Sequence, residues 1–229
     1  MNHLEGVMVV GLTGQTGSGK TTACRKFMEN GFAVINADEI ARNIMKPDSV
    51  CLREVTDFFG TEILNEDKSL NRQGLADIVF NNPKKLEQLN SIMYPHITSE
   101  ILSLIRVNSS EGKKLILLDA PTLFESRADD FCEIIISVIA DEATRLQRII
   151  ERDHLTPEQA QARMNSQHNE KFFVDNSDFI IRNNDGMSGL DEIVNEMSDK
   201  IKCYYSNKFK DLEFRAASCA RRGYGPGGR

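Results

Sequence analysis

The sequence predicts an α/β fold: a doubly wound, five-stranded parallel sheet with a helical insertion and a helical lid. Three observations lead there. Five short apolar runs are continuous rather than alternating, as strands buried on both faces require: Val7–Leu12, Phe32–Ile35, Leu115–Leu118, Ile134–Ile139 and Phe179–Ile181. The stretches between them mix polar and apolar residues at helical spacing, the pattern of repeated βα units. Two of these intervals, about Ala37–Gly112 and Asp141–Phe173, are too long for plain crossovers.

The first run enters Gly14-Gln15-Thr16-Gly17-Ser18-Gly19-Lys20-Thr21, which matches GxxxxGK(S/T) in full. A helical stretch follows, Lys20–Asn30, closed by Gly31. Strand, glycine loop and helix in that order make a P-loop, so the fold is expected to be of the P-loop NTPase type. Glycines let the backbone wrap a phosphate, and the helix start adds the positive end of its dipole. Lys20 adds a mobile charge, and Thr21 offers a hydroxyl to a Mg2+ bridging the phosphates. Gln15, Thr16, Gly17, Ser18, Gly19, Lys20, Thr21 and Thr22 are therefore candidate nucleotide-binding residues. A flexible Gly/Ser turn before a helix is the bland alternative, and the buried run ahead of the loop argues against it.

Asn36-Ala37-Asp38 follows the second run and puts Asp38 at the strand's carboxyl end, the edge where doubly wound sheets bind ligands. A carboxylate there can take a proton from an attacking hydroxyl or hold a Mg2+-bound water; it can also simply cap a helix over Glu39–Met45. The insertion, residues 38–112, shows helical spacing over Leu86–Ile105 and is expected to cover an acceptor. Asp119 closes the third run, either as a Mg2+ orienter in the Walker B manner or as a polar strand terminus. Residues 141–173 read as a charged hairpin of two helices, Ala143–Arg152 and Pro157–Gln167, with Thr156-Pro157-Glu158-Gln159 as the second start. The glycine- and arginine-rich residues 217–229 are expected to be a disordered tail.

With 28 Lys+Arg against 34 Asp+Glu the net charge is −6, which excludes a broad basic surface for nucleic acid. Cations nevertheless fall where phosphates would sit: Lys20, Arg42, Arg72, Arg145, Arg148 and Arg152. Five cysteines and four histidines show no zinc spacing. Without a leader or a membrane-length apolar run, the chain is expected to be cytoplasmic, a monomer or small homo-oligomer with no nucleic-acid or membrane partner. A GTPase switch is disfavoured. Asn207-Lys208-Phe209-Lys210 lacks the aspartate of NKxD, and Asp57-Phe58-Phe59-Gly60 reads as a helix end.

Taken in order, these residues resemble the dephospho-CoA kinase family. The resemblance rests on Gly11-Leu12-Thr13-Gly14 running into GSGKTT, Ala37-Asp38 with Arg42, and Leu70-Asn71-Arg72 with Phe80. It continues through Pro95 and Ile97, Asp119-Ala120-Pro121 with Leu123-Phe124-Glu125, Arg148, Arg152-Asp153, Gln167, Asp178 and Asn183. It is collinear over about residues 7–200. Asn36, Tyr94, Thr122, Arg145, Asp185 and Gln15-Thr16 depart from the usual pattern. The resemblance implies that ATP, with Mg2+, phosphorylates the ribose 3′-hydroxyl of dephospho-CoA to give CoA and ADP.

By the same resemblance Lys20, Asp38 and Arg148 are catalytic, with Asp38 as base. Arg42, Arg72, Glu125 and Arg152 bind the acceptor, and Asn183 faces adenine or is an ordinary turn residue. Without the resemblance, the lid arginines read as a solvated helix face. Two other functions fit the P-loop: a kinase for another small molecule (nucleoside, nucleotide or sugar), and a nucleotide-binding switch without efficient turnover.

Overall fold

A computed structural model of the chain describes residues 6–80, 82–184 and 187–210. Five strands, β1 (Met8–Gly14), β2 (Ala33–Asn36), β3 (Leu115–Asp119), β4 (Ile134–Ile139) and β5 (Phe179–Arg182), coincide with the five apolar runs. They form one parallel sheet in the order β2-β3-β1-β4-β5. The helices are α1 (Lys20–Glu29), α2 (Ala37–Asn43), α3 (Val50–Phe59), α4 (Arg72–Phe80), α5 (Pro83–Ser110), α6 (Glu142–Asp153), α7 (Pro157–Asn165), α8 (Glu170–Asp175) and α9 (Met187–Lys208).

The continuous hydrophobicity of β1 has a direct cause: all of its residues are buried, because successive side chains feed two different cores. Met8, Val10 and Leu12 pack with Phe27 of α1 and Val194 and Ile201 of α9. Val7 and Val9 pack on the other face with Ile40 of α2 and Ile101 and Ile105 of α5. Each fully buried side chain of this size contributes about 1.5–3 kcal/mol. Because β1 lies between β3 and β4, the chain departs to one side of the sheet and later to the other. The crevice this leaves at the carboxyl ends of the strands is the usual ligand position.

The long first interval is helical, with its own core of Met45, Leu52, Val55, Phe59, Ile63, Leu75, Val79 and Leu89. Helix α5 runs further than its apolar spacing indicates and carries Pro95 in its interior. Its start is set by Asn82, whose side chain accepts the Lys85 N–H. Asp57–Gly60 is indeed a helix end, with Gly60 as the C-cap of α3. In the second interval Thr156 and Gln159 form the expected capping box of α7. A third short helix there, α8, has no counterpart in the two-helix reading. Residues 217–229 and Asp185 lie outside the described residues.

Candidate active site

The site begins where β1 ends. The loop from Gly14 to Gly19 returns over the sheet edge, and α1 starts at Lys20. Gly17 has φ 78°, and a Cβ there would stand 2.8 Å from the Arg145 carbonyl oxygen of α6. Only glycine combines that backbone with so close a neighbour. Ser18 and Gln15 are buried, and among the described residues Ser18 Oγ and Gln15 Oε1 have no hydrogen-bond partner, nor has Asn183 Oδ1 beside them. Orphaned buried oxygens around a phosphate loop are what a site completed by a bound ligand would leave.

Asp119 is the hub on the sheet side. It stands level with Asn36 in the β2–β3 register, is 6% exposed, and forms an ion pair with Lys20. Asn36 Nδ2 donates to its second oxygen at 3.5 Å. Burial first, and then the Asp119 charge, push the nearby Cys24 thiol up to about 12. Asn36 also accepts the Glu39 N–H at 2.9 Å. The capping role considered for Asp38 therefore belongs to Asn36, because the helix starts at Ala37, two residues earlier than the expected Glu39. Asp38 is left exposed in the first turn, with its carboxylate uncommitted to the helix.

Two cavities meet at Asp38. The larger, about 920 Å³, is lined by Gln15, Thr16, Gly17, Gly19, Lys20, Thr21, Thr22, Asp38, Asp119, Arg148 and Arg152. The smaller, about 540 Å³, lies inside the insertion. It is lined by Asp38, Arg42 and Arg72 around an apolar wall that includes Leu75, Val79 and Met93. Thr21 and Asp119 supply hard oxygen donors on the larger cavity, the chemistry a Mg2+ takes. No cluster of three His, Cys, Asp or Glu able to hold a metal occurs among the described residues.

Helices α6 and α7 and the turn after α7 also line the larger cavity. Arg148 Nη1 donates to the carbonyls of Asn183 at 3.0 Å and Gly17 at 3.4 Å, tying α6 to the loop. Asn183 is buried, and its amide donates to the Ser18 carbonyl at 2.7 Å, so it meets the nucleotide site through the loop backbone. Arg152 pairs twice with Asp153, both at 2.8 Å, and Arg163 of α7 joins the same carboxylate at 2.7 Å. The Arg152 hydrogen bond holds the Asp153 carboxyl below its ordinary range.

Two expectations change here. Arg145 does not join the cationic cleft: it is 8% exposed, its Nε donates to the Ala140 carbonyl at 3.1 Å, and it lines a separate cavity with Glu142, Gln161 and Glu170. Glu125 lines neither of the two main cavities. Its carboxylate lies 3.5 Å from His168 Nε2, and its carbonyl accepts the Tyr94 hydroxyl at 2.8 Å. The larger cavity adds Asn36, Pro121, Arg163, Ser166 and Gln167. For Arg163 no local signal exists, since only the fold of the hairpin turns it toward the loop.

A family model described as dephospho-CoA kinase matches residues 8–189. The chain belongs to the dephospho-CoA kinase family. It is 37% identical over 195 residues to a dephospho-CoA kinase of Fusobacterium nucleatum, covering 85% of this chain and 99% of that one. To a dephospho-CoA kinase of Idiomarina loihiensis it is 34% identical over 192 residues, covering 84% and 94%. Among solved structures, a dephospho-CoA kinase from Campylobacter jejuni is similar, with TM-score 0.56, 26% identity, and coverage of 84% and 96%. The protein TT1252 from Thermus thermophilus shares the fold, with TM-score 0.74, 23% identity, and coverage of 86% and 98%. As a member of the dephospho-CoA kinase family the chain is a phosphotransferase. Among its described residues no helix is long and apolar enough to cross a membrane.

Proposed function

We propose that this chain transfers the γ-phosphoryl group of ATP to the ribose 3′-hydroxyl of dephospho-CoA, releasing CoA and ADP. The observation that carries this reading is the position of Asp38, on the wall of both main cavities. A phosphate-binding chamber and an apolar, arginine-rimmed chamber thus share one carboxylate where donor and acceptor would meet.

Phosphoryl transfer asks mainly for positioning and for neutralised charge. Lys20 and the loop amides hold the donor phosphates. Arg148, fixed on the Asn183 and Gly17 carbonyls, adds charge from the lid, and Arg152 and Arg163 stand behind it. Asp38 accepts the proton of the 3′-hydroxyl as the bond to phosphorus forms and the ADP oxygen leaves. Thr21 and Asp119 would hold Mg2+, which when bound neutralises charge on the terminal phosphates. Arg42 and Arg72 grip the acceptor's own phosphates, and the apolar wall of the insertion takes its less polar arm. In this reading residues 38–112 are the acceptor-binding insertion, residues 141–173 are a lid that excludes water, and ATP and dephospho-CoA are the cytoplasmic partners.

A coupled ADP-release assay tests it. ADP release stimulated by dephospho-CoA, and not by AMP, dTMP, shikimate or gluconate, is the expected result. Stimulation by one of the others would move the acceptor. Release indifferent to every acceptor would leave a nucleotide-binding switch.

A further inference from the structure

Gln167 sits between α7 and α8, and the family resemblance gives it a place but no task. The Thr16 backbone N–H donates to Gln167 Oε1 at 2.7 Å, a contact across 151 residues. A backbone N–H can only donate, so the atom facing it must be the amide oxygen, and the orientation of the carboxamide is settled. Gln167 Nε2 has no hydrogen-bond partner among the described residues. Gln167 lines the larger cavity with Lys20, Arg148 and Arg163, and borders the separate Arg145 cavity as well.

The two ends of the loop differ. Gly19 lies against Asn183, whereas Thr16 lies against the lid. A triphosphate on this loop must turn its terminal group toward the acceptor, away from the Asn183 end. We infer that Gln167 contacts the γ-phosphoryl group: its oxygen is pinned on the loop, and its NH2 donates to the group being transferred. This rests on the ATP-dependent reading above. A neutral donor adds a contact that ATP has and ADP lacks, in a cleft that residues 141–173 also line with Arg148, Glu151, Arg152, Arg163 and Ser166. The competing role is a plain latch, in which the Thr16 bond only ties the lid to the loop.

Two substitutions separate these. Gln167→Ala removes both halves of the amide. Gln167→Glu keeps an acceptor for the Thr16 N–H, removes the donor, and sets negative charge beside phosphate. ATP and ADP binding to the full chain is measured by titration calorimetry, with kcat and KM for ATP alongside. For Gln167→Ala the expected result is a loss of about tenfold in ATP affinity, the scale of one hydrogen bond to a charged group, with ADP affinity unchanged. Gln167→Glu is expected to bind ATP more weakly still. An unchanged ATP-over-ADP preference in Gln167→Ala overturns the inference. So does Gln167→Glu binding ATP as well as or better than Gln167→Ala, the order a latch would give. Wild-type protein that binds no ATP at all would overturn the kinase reading together with this one.

Discussion

Lys20 has two claimants, the phosphates of a nucleotide and the Asp119 carboxylate, and the free protein can be made to reveal the second. The Lys20 and Asp119 side chains are 14% and 8% exposed. Replacing Lys20 by methionine keeps most of its apolar stem and removes the charge. Asp119 is then left with Asn36 at 3.5 Å and the Cys24 thiol as its neutral partners. Breaking a buried pair from one side costs about 3–5 kcal/mol, because an uncompensated charge remains. Here the pair borders a wide cavity of about 920 Å³ that admits water, so the lower end, about 3 kcal/mol, applies. In a chain of 229 residues that lowers Tm by about 6–12 °C. Adding Asp119→Asn removes the orphaned charge and should return most of the loss. The assay is urea and thermal denaturation of ligand-free wild type, both single variants and the double variant. A Lys20→Met cost below about 1 kcal/mol, or a double variant no more stable than Lys20→Met, would refute the reasoning.

Further expectations concern turnover, backbone and pH. Asp38→Asn should lower kcat by about a hundredfold or more while ATP still binds, and near-normal turnover would remove Asp38 as base. Gly17→Ala should destabilise by about 2–4 kcal/mol, combining a left-handed backbone with contact on the Arg145 carbonyl at 2.8 Å. Calorimetric Tm reads that cost, and a Tm equal to wild type would show that the loop and α6 can separate freely. Burial pushes the Cys24 and Cys51 thiols from an ordinary 9.0 up to about 12 and about 11. Folded values above the unfolded one mean that the unfolded chain loses its thiol protons first. The stability these thiols supply is whole below about pH 9 and declines as pH rises toward 11 and 12. Urea midpoints from pH 8 to pH 10.5, compared with those of Cys24→Ala, measure that slope, and identical slopes would contradict it.

What could be read from the residues alone follows local rules. A strand buried on both faces must be apolar throughout, and a phosphate loop must carry glycines before a lysine at a helix start. So β1 to β5, the P-loop and the Thr156 capping box were all legible without coordinates. The start of α2 was less so, since one asparagine decides it and Asn36 and Asp38 cap equally well in isolation.

The helices of residues 141–173 show where local reading stops. Arg145, Arg148 and Arg152 look alike on a charged helix, yet the first is buried and the second is set on the Gly17 and Asn183 carbonyls, where α6 seats closely against Gly17. Arg163 and Gln167 reach the site from α7 and the turn beyond it, by contacts that span the chain. The sequence by itself determined the sheet, the donor loop and the family, because periodicity and a contiguous motif are written residue by residue. Only the tertiary structure decided that Asp38 borders two chambers, that Asp119 holds Lys20, and that Gln167 touches the loop. Those facts depend on the distance between helices and strands far apart in the chain, and no local spacing records that distance.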